Sequence, residues 1–267
     1  MKVIALISGG KDGTFNMMEC VKNDHEIVAL LCLKPKQLES VTIQMKNEEI
    51  PELESYMYQS IGNRMLDLYA EAMELPLYIR SITIKPINMS SAAEPHAEIN
   101  QIDDLYEILK DIKQDLEKKN GYVIDGLSCG VIERFDMYHK NHVDSICERL
   151  NIKPLVYLWQ RNQSEILNDM VSSHLEAILI KVACRGLNPE EHLGKTLAEV
   201  RPSLIELEKY GASVCGEDGE YESLTLDCPL FKRKRIIIDE FEIKTFSNDT
   251  VDKIGYFLFK KFHLQDK

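Results

Sequence analysis

The stretch Met-Lys-Val-Ile-Ala-Leu-Ile-Ser-Gly-Gly-Lys-Asp-Gly, residues 1–13, decides the fold of this chain. Lys2 to Ile7 is a short apolar run with several β-branched residues, which predicts a buried strand. Ser8-Gly9-Gly10 interrupts that run, and Thr14 to Lys22 then carries apolar residues at helical spacing. The stretch therefore predicts a strand, a glycine turn and the start of a helix.

A strand that runs through a glycine turn into a helix is a ready anion-binding site. Free backbone N–H groups and the positive end of the helix dipole point at one spot there. Gly9 and Gly10 let the backbone approach a phosphate closely, and Lys11 adds a point charge. A turn that binds nothing is the alternative, but Lys11 and Asp12 beside the paired glycines favour a phosphate.

Spacing excludes two well-known phosphate loops. The dinucleotide-binding pattern Gly-x-Gly-x-x-Gly would need a glycine at Ser8. A Walker loop ending in Gly194-Lys195-Thr196 would need its first glycine at Pro189. The pattern that remains is Ser-Gly-Gly-x-Asp-Ser, in which Gly13 stands in place of the last serine.

The composition indicates a protein of the cytoplasm. The 267 residues are 44% hydrophobic and carry a formal net charge of -12, which argues against a broad nucleic-acid-binding surface. The seven cysteines include no Cys-x-x-Cys pair, which favours reduced thiols over a zinc site. No apolar run reaches the ~20 residues that a membrane helix needs. We expect neither a membrane nor a direct nucleic-acid partner.

The first half alternates between strand and helix patterns. Strands are predicted at Glu26–Leu33, Leu77–Ile84 and Tyr122–Leu127, and amphipathic helices at Glu54–Leu75 and Gln101–Lys118. This alternation predicts a parallel sheet with helices on both faces and a ligand site at the carboxyl ends of its strands, where Ser8–Gly13 lies. The polar segment Lys34–Pro51 is interpreted as a flap.

The second half continues the alternation and then changes. The predicted elements are helices at Tyr138–Leu150, Gln163–Val171 and Glu199–Tyr210 and strands at Lys153–Leu158 and Glu176–Val182. After Pro229, short alternating runs predict a small antiparallel meander at Lys234–Asp239, Glu242–Phe246 and Ile254–Phe259. No linker marks a boundary, and we place it near residue 125, which gives domains of residues 1–125 and 126–267.

The stretch Gly216-Glu217-Asp218-Gly219-Glu220-Tyr221-Glu222 collects four carboxylates and a tyrosine around two glycines. A solvated acidic turn is the ordinary interpretation. A cation site is the other, because carboxylates attract ammonium or hold a divalent metal, and Tyr221 can offer its ring face to a methylated ammonium. The residue types alone leave both interpretations open.

Two motifs resemble those of one enzyme family. Ser8–Gly13 resembles the pyrophosphate loop of the N-type ATP pyrophosphatases (PP-loop proteins), and Gly216–Glu222 resembles the Gly-Glu-x-Gly-Glu-Tyr-Glu signature of the diphthine–ammonia ligase (diphthamide synthetase) family. Further stretches resemble that family's eukaryotic pattern in the same order: Glu54–Gln59, Leu68–Met73, Leu158–Gln163, Ile180–Ala183, His192–Thr196 and Leu226–Phe231. The resemblance implies an adenine-nucleotide α-hydrolase-like (Rossmann-like) PP-loop domain followed by a smaller α/β substrate-binding domain.

The resemblance also implies a reaction. The family amidates diphthine, a modified histidine of translation elongation factor 2 that bears a trimethylammonium group. Ammonium gives the nitrogen, and ATP is cleaved to AMP and pyrophosphate through an acyl-adenylate. No cysteine stands in a setting that suits a glutaminase, which favours free ammonium.

Site residues follow from the matched motifs. ATP binding is expected from Ser8, Gly9, Gly10, Lys11, Asp12, Gly13, Tyr58 and Gln59, with Mg²⁺ at Asp12. Catalysis is expected from Asp12, Lys181, Glu217, Glu220 and Glu222. Substrate binding is expected from Gly216, Glu217, Gly219, Glu220, Tyr221 and Trp159. Packing alone is the other interpretation of Tyr58, Gln59 and Trp159, whereas Lys181 near a strand end needs a partner such as a phosphate or the adenylate.

Two departures from the family pattern leave other functions open. Gly13 removes one hydroxyl, for which Thr14 is the candidate replacement, and residues 131–145 differ from the family in sequence and spacing. A nucleotide-binding regulatory protein that has lost catalysis is one alternative. A PP-loop enzyme that modifies tRNA is another, although it predicts a cysteine pair or a basic surface.

Overall fold

Two β-sheets with surrounding helices make up the described part of the chain. A computed structural model describes residues 1–35, 65–82, 95–132, 137–184, 186–217, 219–247 and 253–267. Most of the predicted flap, the start of the predicted helix Glu54–Leu75, Tyr58 and Gln59 lie outside these ranges. None of the described helices is long and apolar enough to cross a membrane.

The first sheet is parallel and is surrounded by helices. Its elements are β1 (Lys2–Leu6), α1 (Lys11–Lys22), β2 (Glu26–Pro35), α2 (Leu66–Met73), β3 (Leu77–Ile82), α3 (Pro95–Asn120), β4 (Gly126–Ser128), α4 (Met137–Leu150) and β5 (Lys153–Leu155). The strand order is β3-β2-β1-β4-β5, with β1 in the centre. Val3, Ile4 and Ala5 of β1 are fully buried, because helices cover both faces of the sheet. The predicted strand–helix alternation is confirmed, and the strand order is that of a doubly wound, Rossmann-like sheet.

The last two strands of this sheet lie beyond the boundary expected near residue 125. β4 pairs with β1, and β5 pairs with β4, so residues 126–155 complete the first sheet. β4 starts at Gly126 rather than at Tyr122. The sequence placed the strand Tyr122–Leu127, which overlaps β4, in the parallel sheet, but it did not reveal that β5 belongs to the same sheet, because a three-residue strand is too short to show a period.

The second sheet is antiparallel. Its elements and the helices beside it are α5 (Gln163–Ser172), β6 (Glu176–Val182), α6 (Pro189–His192), α7 (Leu197–Glu208), β7 (Tyr221–Asp227), β8 (Lys234–Ser247) and β9 (Lys253–Asp266). The strand order is β7-β6-β9-β8. Two of the three runs predicted after Pro229 lie in the single strand β8, whose register shifts between Ile238 and Phe241 and so breaks the alternation. β7 was not predicted as a strand, since its first residues belong to the acidic stretch.

The two sheets share one hydrophobic core. Phe15 of α1, Tyr69 of α2, Leu224 of β7 and Phe231 belong to the same buried cluster. The Tyr69 and Phe231 rings meet edge to face, with 5.1 Å between centroids. Burying these side chains together fixes β7 against the start of α1.

Candidate functional site

The glycine loop (Ser8–Gly13) follows β1 and leads directly into α1. Gly9 has φ +87, and a Cβ there would lie 3.3 Å from Leu66 Cδ2, so the position requires glycine. Gly10 is the N-cap of α1 and gives no side-chain hydrogen bond to the first turn. α1 therefore starts at Lys11, earlier than the predicted Thr14, and the end of β1, the glycine turn and the helix N-terminus meet as the sequence predicts.

The hydroxyl lost at Gly13 is not replaced by Thr14. Thr14 is 1% exposed, and its hydroxyl donates to Gly10 O over 2.8 Å. The same oxygen lies 2.7 Å from Tyr69 Oη and 3.0 Å from Thr225 Oγ1. Since the Thr14 hydroxyl is buried in this network, the expectation that it takes the place of the hydroxyl missing at Gly13 is wrong. At Gly13 itself the nearest atom to an added Cβ would be Leu6 O at 3.6 Å, an ordinary contact.

Lys11 does not extend its charge to solvent. Its side chain is 3% exposed, and Nζ lies 2.5 Å from Cys215 O and 2.8 Å from Asp12 Oδ2. Nζ also lies 4.9 Å from the centroid of the Tyr221 ring. The sequence predicted that the Lys11 ammonium would face a bound phosphate, whereas in the structure it bonds to groups of the protein.

The surroundings of Lys11 keep it charged. Burial lowers its pKa, but the negative charge of Asp12, followed by neighbouring groups, outweighs burial and raises the pKa above its ordinary value. A buried ammonium with a carboxylate, a carbonyl and an aromatic face around it is a satisfied cation.

Tyr221 is buried rather than open to a ligand. It is 3% exposed, its hydroxyl donates to Val214 O over 2.8 Å, and Lys11 lies over its ring. A Cβ at Gly216 would stand 2.9 Å from a ring atom, so Gly216 packs directly on the ring. The expectation that Tyr221 offers its ring face to a methylated ammonium is therefore not met in this structure.

The described residues of the acidic segment (Ser213–Glu222, of which residues 213–217 and 219–222 are described) are held in place by hydrogen bonds within the segment. Glu220 is 9% exposed, and its Oε1 accepts a hydrogen bond from Ser213 N over 2.6 Å. Ser213 Oγ accepts from Glu217 N over 3.0 Å. From outside the segment, Gln163 Oε1 accepts from Ser213 Oγ and from Cys215 N, each over 2.7 Å. The carboxylate of Glu220 is therefore used to hold the acidic segment together. Glu217 is half-buried and so remains partly accessible to solvent.

Lys181 has a partner within the protein. It lies directly across the antiparallel β6–β7 pair from Glu222, and Lys181 Nζ is 3.6 Å from Glu222 Oε1. Their side chains are 15% and 21% exposed. The sequence suggested a phosphate or an adenylate as the partner of Lys181, whereas the structure gives it a carboxylate of the acidic segment.

The glycine loop and the acidic segment lie next to each other through β7. Thr225 N donates to Gly9 O over 2.9 Å, and Lys11 N donates to Ser223 Oγ over 3.1 Å. Both motifs that carried the resemblance therefore meet at the N-terminus of α1, although more than half of the chain separates them. This is the candidate active site.

The sequence models of two families match this chain. The family described as "Diphthamide synthase N-terminal domain" matches residues 1–154, and the one described as "Diphthamide synthase C-terminal domain" matches residues 162–262. The chain belongs to the diphthamide synthase family. The family resemblance inferred from the two motifs is thereby confirmed, and the N-terminal match ends within β5, like the first sheet.

Curated relatives match all or most of the chain. The proteins named diphthine–ammonia ligase from Bos taurus and Homo sapiens are 48% and 47% identical to it over 268 residues, which are 100% of this chain and 94% of each relative. The protein of the same name from Schizosaccharomyces pombe is 42% identical over 94% of this chain and 38% of its own length.

The remaining residues expected from the diphthamide synthase family include Trp159 and two residues that lie outside the described ranges. Trp159 is half-buried against the core of the first sheet, with Lys140 Nζ 5.9 Å from its ring. Tyr58, Gln59 and Asp218 lie outside the described residues. Within the described ranges, no group of three or more His, Cys, Asp and Glu side chains is arranged to hold a metal ion.

Three supporting residues of this diphthamide synthase site were not singled out from the sequence. Gln163 holds the acidic segment, and Asn16 Nδ2 donates to Ser128 Oγ and Leu155 O, each over 2.8 Å, which ties α1 to the ends of β4 and β5. Gly130 packs on the first turn of α1. Two features of the sequence could have pointed to these residues. Gln163 is the last residue of the stretch Leu158–Gln163, which resembles the family pattern, and Asn16 is a polar residue within an apolar helix pattern.

Proposed function

We propose that this protein is a diphthine–ammonia ligase. It converts the carboxylate of diphthine on translation elongation factor 2 into an amide, with ammonium as the nitrogen donor and ATP cleaved to AMP and pyrophosphate. The observation that carries the proposal is the contact of Lys11 in the glycine loop with Cys215 O in the acidic segment, next to the bond from Thr225 N of β7 to Gly9 O. An anion-binding helix start and a cluster of carboxylates are thereby adjacent.

The first step activates the substrate, because a carboxylate is a poor electrophile. A diphthine carboxylate oxygen forms a bond to the α-phosphorus of ATP, and the bond from that phosphorus to the bridging oxygen breaks. Pyrophosphate leaves with the electron pair. The backbone N–H groups of the glycine loop and the positive end of α1 stabilise the negative charge that grows on this leaving group.

The second step forms the amide. Ammonium loses a proton to a carboxylate, and the resulting ammonia attacks the acyl carbon of the adenylate. The C–O bond to AMP then breaks, and the nitrogen gives up a further proton. We assign the attraction and deprotonation of ammonium to Glu217 and Glu222, whose side chains are partly exposed. Glu220 positions the segment through Ser213 N.

Asp12 suits a magnesium ion bound with the ATP phosphates. Its carboxylate is a hard oxygen donor, lies in the first turn of α1 and is 24% exposed. Mg²⁺ commonly takes one or two protein carboxylates together with phosphate oxygens and waters, so a preformed cluster is not required. When bound, the ion neutralises charge on the departing pyrophosphate.

The decisive experiment mixes the protein with ATP, Mg²⁺, ammonium chloride and elongation factor 2 that carries diphthine. AMP is quantified by chromatography, and the modified peptide is weighed by mass spectrometry. We expect AMP and the amide to form together, and neither to form without ammonium or with a factor that bears unmodified histidine. ATP binding without AMP would contradict the ligase and favour the regulatory alternative, for which the missing hydroxyl at Gly13 is the structural argument.

A further inference from the structure

We propose that Lys11 is a positioning residue that fastens the acidic segment to the glycine loop, and that its ammonium is not a ligand of the ATP phosphates. The expected effect of Lys11 on catalysis rests on the proposed function. The position of the acidic segment does not depend on that function.

The ammonium of Lys11 is fully engaged inside the protein. Nζ bonds to Cys215 O and Asp12 Oδ2 and lies over the Tyr221 ring, with the side chain 3% exposed. Two of these three partners belong to the acidic segment. Moving Nζ to a phosphate would leave the Cys215 carbonyl and the covered face of Tyr221 buried without this cation, which is unfavourable.

The backbone around Lys11 is fixed by β7, the strand that follows the acidic segment. Lys11 N donates to Ser223 Oγ, and Gly9 O accepts from Thr225 N. β7 therefore holds the loop on both sides of Gly10. With the main chain anchored there, the lysine stem runs to Cys215, and a single side chain joins the loop before β7 to the loop before α1.

This arrangement separates two tasks within one loop. The backbone of the glycine loop faces the phosphates, and the Lys11 side chain sets where Glu217 lies relative to them. Loss of the Lys11 cation should therefore affect the ammonium-dependent step more than ATP binding.

The test compares Lys11→Met with Lys22→Met. Lys22 is in the last turn of the same helix and its side chain is 73% exposed, so it is the matched control. We expect the dissociation constant for ATP, measured by calorimetry, to stay within about threefold of wild type in both variants. In Lys11→Met alone, amide hydrogen exchange of residues 213–222 should rise about tenfold or more. The KM for ammonium should rise with it.

An ATP dissociation constant raised about tenfold in Lys11→Met, with exchange of residues 213–222 unchanged, would show that Lys11 binds phosphate and would overturn the proposal. The exchange and calorimetry measurements need no elongation factor. If the wild-type protein forms no amide, the proposed function is refuted. The hydrogen-exchange and calorimetry measurements then still test the role of Lys11.

Tyr221 provides a second pair of variants should Lys11→Met fail to fold. Tyr221→Leu removes the ring beneath Nζ, whereas Tyr221→Phe keeps the ring and loses only the hydrogen bond to Val214 O. We expect Tyr221→Leu to increase exchange of residues 213–222 beyond the increase in Tyr221→Phe, with ATP binding retained. Equal exchange in the two variants would contradict the proposal.

Discussion

Gly130 lies against Gly13 so closely that a Cβ atom on Gly130 would stand 2.5 Å from Gly13 N. The same Cβ would stand 2.5 Å from the carbonyl carbon of Asp12 and 2.7 Å from its oxygen. All three are backbone atoms of the first turn of α1 and cannot move aside without moving the turn. The segment after β4 therefore fixes the position of the helix start from which phosphates are expected to be bound.

Gly130→Ala should displace the first turn of α1. We expect a loss of about 1 to 3 kcal/mol in the free energy of unfolding, since the new methyl group overpacks a backbone contact. ATP affinity should fall with it. Urea unfolding and ATP calorimetry measure the two effects, and Gly13→Ala is the control, because its Cβ has ordinary contacts. Equal stability of the two variants would contradict the close contact.

Gly13→Ser should speed the release of pyrophosphate. The serine Cβ fits at 3.6 Å from Leu6 O, and the hydroxyl restores a donor that Thr14 does not supply. We expect pyrophosphate formation, measured in a single turnover, to rise by up to about tenfold, because a donor to developing charge acts in the transition state. Stability should rise by about 0.5 kcal/mol from helix propensity. An unchanged rate of pyrophosphate formation would mean that this reaction does not use the hydroxyl.

Gln163→Ala should loosen the acidic segment from outside. The variant leaves Cys215 N and Ser213 Oγ without their acceptor, which costs about 1 to 3 kcal/mol of stability. We expect a raised KM for ammonium with ATP affinity retained. Gln163→Glu keeps an acceptor oxygen and should restore part of both quantities; if it behaves like the alanine variant, the hydrogen bonds are not what matters.

Glu217→Gln and Glu220→Gln should differ. Glu220 acts as an acceptor for Ser213 N, and the glutamine oxygen can accept the same bond, so we expect activity within about threefold of wild type. Glu217→Gln removes a carboxylate near the glycine loop and should raise the KM for ammonium. Steady-state kinetics at varied ammonium concentration separates the two. A larger loss of activity in Glu220→Gln than in Glu217→Gln would show that Glu220 takes the proton from ammonium.

The buried thiols should be unreactive toward alkylating reagents. Burial raises the pKa of Cys20 and Cys228 to about 11, and that of Cys32 and Cys147 to about 12. Since the thiolate is the nucleophile, a raised pKa leaves less of it near neutral pH than an ordinary cysteine has. Alkylation by iodoacetamide, followed by mass spectrometry, should modify Cys184 first, as it is half-buried. Rapid labelling of Cys20 or Cys147 in the folded protein would contradict this.

Local sequence was sufficient for β1, the glycine loop and α1. The apolar run, the paired glycines and the helical spacing all lie within residues 1–22, so the order of strand, turn and helix follows from neighbours in the chain, although α1 starts at Lys11 and not at the predicted Thr14. The same holds for β6, whose predicted span Glu176–Val182 is the observed one. Motif spacing also identified the family, because several matched blocks in order specify it.

Tertiary structure alone decided what the site side chains contact. Lys11 bonds to Cys215, 204 positions away, and Thr14 meets Thr225, 211 positions away. Periodicity carries no information on such pairs, and a lysine beside glycines has the same local pattern whether it binds a phosphate or a carbonyl. Burial made the difference: β7 covers the start of α1, so the charge of Lys11 had to find its partners inside the protein.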